Sequence, residues 1–199
     1  MGVYVLGISG ASGVLYGVRA LEVLAQAGHT IHLIVSDGAR HVARHEMALD
    51  LDGRVEQVAG DVVLHAESDT AGWPASGSFR HDGMLIVPAS LKTTAAIAHG
   101  YADSLLTRSA IVCLKESRRL VIVPRETPLD LITLRNWATL KEAGARLVPA
   151  MPGFYHRPST IEDLVDHVVG KALDQLDVAH DLFTRWGPEL RPKKSAASR

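Results

Sequence analysis

Five short apolar runs, each closed by a cluster of small, hydroxylated or charged residues, constrain the architecture of this chain. Val3–Ile8 runs into Ser9-Gly10-Ala11-Ser12-Gly13, Ile31–Val35 into Ser36-Asp37-Gly38, and Met84–Val87 into Pro88-Ala89-Ser90-Leu91-Lys92-Thr93. Leu120–Val123 leads to Pro124-Arg125-Glu126, and Arg146–Val148 to Pro149-Ala150-Met151-Pro152-Gly153-Phe154-Tyr155. Short β-branched runs between helical stretches read as buried parallel strands. The pattern predicts a Rossmann-like α/β domain, an open parallel sheet with helices on both faces. Ligands of such sheets bind just outside the carboxyl ends of the strands. The chemistry-bearing residues are therefore expected along one edge.

At 199 residues the chain suffices for one α/β domain with a full core. Residues 1–187 are read as that domain. Residues 188–199, with Arg191-Pro192-Lys193-Lys194 and small residues, are read as a basic tail that buries nothing and frays. A formal net charge of −1 gives no global electrostatic case for nucleic acid or membrane as a partner. Cys113 is the one cysteine, so no internal disulfide forms, and a small buried thiol is expected. No stretch approaches the ~20 apolar residues of a membrane helix. The apolar N-terminus lacks a basic flank and fits a strand better than a signal peptide. The expected location is the cytoplasm.

Helices are expected over Ser12–Ala27, Ala39–Leu49, Ser90–His99, Asp103–Glu116 and Leu129–Ala143, with a peripheral strand over Val55–His65. The last long helix is predicted from a capping box of Ser159 and Glu162, followed by Ile161, Leu164, Val165, Val168, Val169, Ala172, Leu173 and Leu176 at helical spacing. Asp50-Leu51-Asp52-Gly53 reads as a turn, since it lacks the ligands of a calcium loop. His41 and His45 stand four apart on a helix, with no third metal ligand in view.

Gly10-Ala11-Ser12-Gly13, between a strand and a helix, suits a phosphate, because glycines admit close backbone approach and first-turn amides point at the anion. It is neither G-x-G-x-x-G nor a P-loop. The second strand ends in Ser36, a hydroxyl that suits a mononucleotide, with Asp37 one place late for a dinucleotide ribose; NAD stays open as a minor option. Arg125 and Glu126 are adjacent charges at the rim of a buried strand, where a charge needs a partner. Arg108 and Lys115, seven apart, share a helix face. Lys171 borders the apolar stripe of the last helix.

With these residues in place, the chain from about Val5 to Trp186 resembles the UbiX-like flavin prenyltransferases, including the small B subunits of phenolic-acid decarboxylase systems. The resemblance rests on Gly10-Ala11-Ser12-Gly13, Ala75-Ser76-Gly77-Ser78, Pro88-Ala89-Ser90-Leu91-Lys92-Thr93, Leu105-Leu106-Thr107-Arg108 and Leu114-Lys115-Glu116. It continues through Val123-Pro124-Arg125-Glu126-Thr127-Pro128-Leu129, Pro152-Gly153-Phe154-Tyr155-His156-Arg157-Pro158 and Arg185-Trp186. It implies a flavodoxin-like fold and an enzyme that joins a dimethylallyl group to N5 and C6 of reduced FMN, without a metal. The prenylated flavin would pass to a UbiD-type decarboxylase. By the same resemblance, Gly10, Ala11, Ser12, Ser36, Ser90, Leu91, Lys92, Thr93 and Arg125 would hold FMN. Tyr155 and Lys171 would hold the phosphate of dimethylallyl monophosphate, with Arg108 and Lys115 completing a cationic pocket. Ser12 and Glu126 would sit near the reacting flavin atoms, and Trp186 would close the site. Homo-oligomers, trimers assembling to a dodecamer with a pocket shared between protomers, are also implied. The sequence departs from the family's usual residues at Ala89, Ser104, Ile111, Ser117 and Thr133. Two alternatives share the architecture: an FMN-dependent decarboxylase of cysteine-type substrates, and a non-catalytic flavin carrier serving a decarboxylase.

Overall fold

The computed structural model describes residues 1–187, so the tail expected over 188–199 lies outside the described residues. Six strands, β1 (Val3–Ile8), β2 (Thr30–Val35), β3 (Asp61–His65), β4 (Gly83–Ala89), β5 (Leu120–Pro124) and β6 (Arg146–Leu147), form one parallel sheet in the order β3-β2-β1-β4-β5-β6. The helices are α1 (Val14–Gln26), α2 (Asp37–Met47), α3 (Leu51–Glu56), α4 (Leu91–Ala98), α5 (Leu105–Lys115), α6 (Leu131–Glu142) and α7 (Ile161–Asp174). The chain order of the strands reverses between β1 and β4, which opens a crevice at their carboxyl ends.

Alternation along the strands sorts the core into two layers. Tyr4, Leu6 and Ile8 of β1, with Ile31, Leu33 and Val35 of β2, pack under α1, α2, α3 and α7. Val5, Ile34, Met84, Ile86 and Ile122 face the opposite side, covered by α4, α5 and α6. Fully burying one such aliphatic side chain contributes about 1.5–3 kcal/mol, so each layer is a large stabilising term. The position of α7 follows from its stripe: Val165, Val168, Val169, Ala172 and Leu173 are buried, and the helix lies against α1.

Several boundaries differ from the expected ones. Residues Leu51–Glu56 form α3 rather than a turn and the beginning of a strand; Leu51 and Val55, four apart, are buried, a helical spacing. The peripheral strand is therefore confined to Asp61–His65. The box before α7 is Thr160 with Asp163, not Ser159 with Glu162. The shorter carboxylate of Asp163 accepts from the backbone N–H groups of both Ser159 and Thr160, at 2.7 and 3.0 Å. Helix α1 begins at Val14, because Gly13 adopts the left-handed conformation at φ 91°. Two departures from the family's usual residues carry local structure: Ser104 caps α5 reciprocally with Thr107, and Thr133 donates from N and Oγ1 to the Asp130 cap of α6. Cys113 is fully buried, and that burial pushes its thiol up to about 12.

Candidate functional site at the carboxyl edge

The loops after β1, β2, β4 and β5 meet at the crevice. Ser9, at the end of β1, donates its hydroxyl to the Pro88 carbonyl at 3.1 Å and accepts the Ser90 N–H at 2.8 Å, tying β1 to the β4 loop. The turns after β1 and β2 touch through glycines. A Cβ on Gly10 would lie 2.8 Å from both Cα and C of Gly38, so only backbone fits there. The close approach leaves a cradle that a methyl group would fill.

The helices opening onto this edge differ in how their first amides are satisfied. Ser36 caps α2 by accepting the Ala39 N–H at 3.0 Å, and Ser90 caps α4 by accepting the Thr93 N–H at 3.2 Å. Both hydroxyls keep a proton to donate. Leu91 and Lys92 form the first turn of α4, with Thr93 Oγ1 3.0 Å from Ser90 Oγ and Lys92 Nζ 3.6 Å from Asp103. By contrast, Gly13 gives α1 no side-chain cap; the Tyr16 N–H donates to the Gly13 carbonyl at 3.0 Å, and the Val14 and Leu15 amides remain for a ligand. The expected anion cradle Gly10-Ala11-Ser12 directly precedes this uncapped end.

Arg125 reaches the same turn. Its Nε donates to the Ser12 carbonyl at 3.2 Å, across 113 residues of chain. Among the described residues no carboxylate forms a salt bridge with Arg125. A half-buried guanidinium held by one carbonyl keeps most of its positive potential for an incoming anion. Glu126 beside it folds back to accept the Thr127 N–H at 2.9 Å. A residue absent from the sequence reading also enters here: Glu46 of α2 accepts the Gly13 N–H at 3.1 Å. Nothing local marks Glu46, whose contact spans 33 residues and depends on how α2 packs.

The remaining candidates lie in two other places. Tyr155 belongs to an aromatic group beside α7, edge-on to Trp186 at 5.6 Å between centroids and to His167 at 5.5 Å. Trp186 is 69 % exposed and Phe154 71 %, so this patch faces outward. Lys171 stands on α7 one turn after His167, its Nζ 3.9 Å from Asp174. Asp174 also receives Arg185 at 2.7 and 3.0 Å and His180 at 3.1 Å, and these bonds hold its carboxyl below the usual range. Arg108 and Lys115 instead line a groove of α5 with Ile111, Ser76 and Gly77, where Lys115 pairs with Glu116 at 3.0 Å.

The expectation that Arg108 and Lys115 complete one pocket with Tyr155 and Lys171 is therefore not met within a single chain. Helices α5 and α7 cover opposite faces, with the sheet between them. His41 and His45 do stack, at 4.3 Å, yet among the described residues no three His, Cys, Asp or Glu side chains group as metal ligands. No described helix is long and apolar enough to cross a membrane.

A family model described as Flavoprotein matches residues 3–177. The chain is 46 % identical over 195 residues to the flavin prenyltransferase UbiX of Halalkalibacterium halodurans, covering 94 % of this chain and 95 % of that one. The crystal structure of AnUbiX (PadA1) in complex with FMN and dimethylallyl pyrophosphate superposes with a TM-score of 0.89 at 41 % identity, over 94 % of this chain and 97 % of that one. A dodecameric FMN-dependent UbiX-like decarboxylase from Escherichia coli O157:H7 follows at TM-score 0.86 and 41 % identity, over 93 % and 98 %. The chain belongs to the flavoprotein family and, within it, to the UbiX-type flavin prenyltransferases.

Proposed function

We propose that this protein joins the dimethylallyl group of dimethylallyl monophosphate to N5 and C6 of reduced FMN, and that residues 1–187 act as the FMN-binding unit. The observation that carries the reading is the carboxyl edge itself. A helix start without a side-chain cap, a cradle admitting only backbone and an arginine with no carboxylate partner among the described residues surround Ser12. That set fits the phosphate of a mononucleotide: Gly10, Ala11 and Ser12 supply backbone approach, Ser36 and the Ser90–Thr93 turn supply hydroxyls, and Arg125 supplies charge. FMN, once bound, supplies the nucleophilic ring positions that accept the prenyl group.

This chain's own residues then have three tasks. Phosphate must leave the donor with the bonding pair, so positive groups have to face it. Lys171 and the Tyr155 hydroxyl offer one half of that field, and donors preorganised where charge develops lower the barrier most. Arg108 and Lys115 offer the other half from a second copy of the chain, because their own face points away from Tyr155. The homo-oligomer that this requires, trimers assembling to a dodecamer, has the subunit number of the dodecameric E. coli relative. Trp186 supplies an electron-rich face beside a developing allylic cation. Ser12 and Glu126 flank the acceptor edge, where Glu126 is placed to take a proton. The product is handed to a UbiD-type decarboxylase in the cytoplasm.

Anaerobic incubation with reduced FMN and dimethylallyl monophosphate should yield a flavin heavier by one prenyl unit. An unchanged flavin mass, with an active relative converting the same substrates, overturns the proposal. The alternatives are read in the same assay: CO2 from a cysteine-type substrate marks the decarboxylase, and tight FMN binding without product marks the carrier.

A further inference from the structure

The aromatic group beside α7 contains a histidine that the reading above does not use. His167 is buried on α7 against Tyr155 of the preceding loop, and its two ring nitrogens are both engaged. The backbone N–H of Gly153 approaches Nδ1 at 3.2 Å. An amide N–H can only donate, so Nδ1 presents a lone pair and the neutral ring carries its proton on Nε2. Nε2 lies 3.3 Å from the Tyr155 hydroxyl. The imidazole therefore donates to the phenolic oxygen, and the phenolic proton must point elsewhere.

We infer that His167 is a positioning residue for the donor site: by fixing its tautomer on Gly153 it holds the Tyr155 hydroxyl as an acceptor and turns the phenolic proton outward, toward the anion. The inference rests on the reading of Tyr155 as a phosphate contact. Free rotation of a hydroxyl spreads its proton over several directions; one fixed donor behind it leaves a single productive one. Packing protects the arrangement. His156 stacks on His167 at 4.8 Å with the ring planes 1° apart, and Phe183 lies 5.0 Å away. Burial lowers the His167 pKa, and His156 and Lys171 lower it further, so the neutral donor form persists at neutral pH. The same loop is anchored as well as aimed, since Gly153 and Tyr155 are two residues apart and both bond to one ring.

The test uses the FMN-loaded protein and measures dissociation constants for dimethylallyl monophosphate and for FMN by titration. His167→Phe keeps the stacked ring but removes both hydrogen bonds. It should weaken the donor about five- to tenfold, the worth of one hydrogen bond, and leave FMN unchanged. His167→Gln can accept from Gly153 and donate to Tyr155 through one amide, and should retain most of the donor affinity. In a Tyr155→Phe background, His167→Phe should cost nothing further, because the hydroxyl it orients is gone. Tyr155→Phe weakening the donor while His167→Phe does not would overturn the inference alone. Tyr155→Phe without effect would overturn the reading of Tyr155 and the inference with it. Additive losses in the double variant, or equal losses for Phe and Gln, would show a role in packing only and overturn the inference. If His167→Phe does not fold, Gln against Asn, whose shorter amide cannot span both partners, makes the same comparison.

Discussion

Replacing Gly10 by alanine should separate the cradle from the rest of the fold. The new Cβ would stand 2.8 Å from Cα and C of Gly38 and 3.1 Å from its oxygen, where ordinary contact begins at 3.4 Å. Neither side can yield by a rotamer change, because both are backbone. The Gly38 turn is held by the Ser36 N–H on the Ile8 carbonyl at 2.9 Å and by the Ser36 cap, and the Gly10 turn by Ser9. Overpacking of this kind costs about 1–3 kcal/mol. For a chain of this size that corresponds to about 2–4 °C of melting temperature per kcal/mol. The turn must also move away from Gly38, which misaligns the amides at the α1 start, so FMN affinity should fall at least about tenfold, near 1.4 kcal/mol. Gly28→Ala is the control: Gly28 has φ 75° with open space around it, so alanine there meets strain of about 1–2 kcal/mol but no neighbour. Thermal melts and FMN fluorescence titrations of both variants give the answer. Wild-type FMN affinity in Gly10→Ala, or an equal loss in Gly28→Ala, refutes the reasoning.

Three further outcomes follow from the site and the core. Lys171→Ala should weaken the prenyl donor while sparing FMN; parallel loss of both ligands in titrations would contradict the division of the pocket. Oligomers mixed from Arg108→Ala and Tyr155→Phe subunits should recover activity that neither variant has alone, since one copy supplies each half; no recovery on mixing would refute the pocket shared between copies. The His32 and His65 pair, Nδ1 to Nε2 at 2.9 Å, makes the fold acid-sensitive. Burial lowers the pKa of both, and the neighbouring ring lowers His32 further against the opposing pull of Asp61. The folded state thus binds fewer protons than the unfolded one below the ordinary histidine value, so the stability is complete above pH 6.5 and declines as pH falls through it. Melting temperatures between pH 7.5 and 5 should drop less steeply in His32→Gln, and an unchanged slope would count against the pair.

The strand order and the edge could be read from the chain because parallel strands announce themselves twice, as apolar runs and as the clusters that close them. Arg125 was legible for the same reason: a charge directly after a buried strand has few places to go. Spacing along a helix correctly put Arg108 and Lys115 on one face, but it does not say which side of the sheet that face covers. Glu46 and His167 were hidden differently. Their partners, Gly13 and Gly153, are backbone groups brought near by packing, and backbone leaves no mark in a sequence. The start of β3 was misplaced because Leu51 and Val55 fit either period over so short a stretch.

Ser9 has a mechanical consequence for the crevice. One hydroxyl clamps the two lips where the strand order reverses, through the Pro88 carbonyl on one hand and the Ser90 amide on the other. The jaws of the slot are thereby set to a fixed gauge before any guest arrives. A flat ring system of the kind proposed above would meet lips already tied together, with the exposed aromatic group lying apart from that clamp.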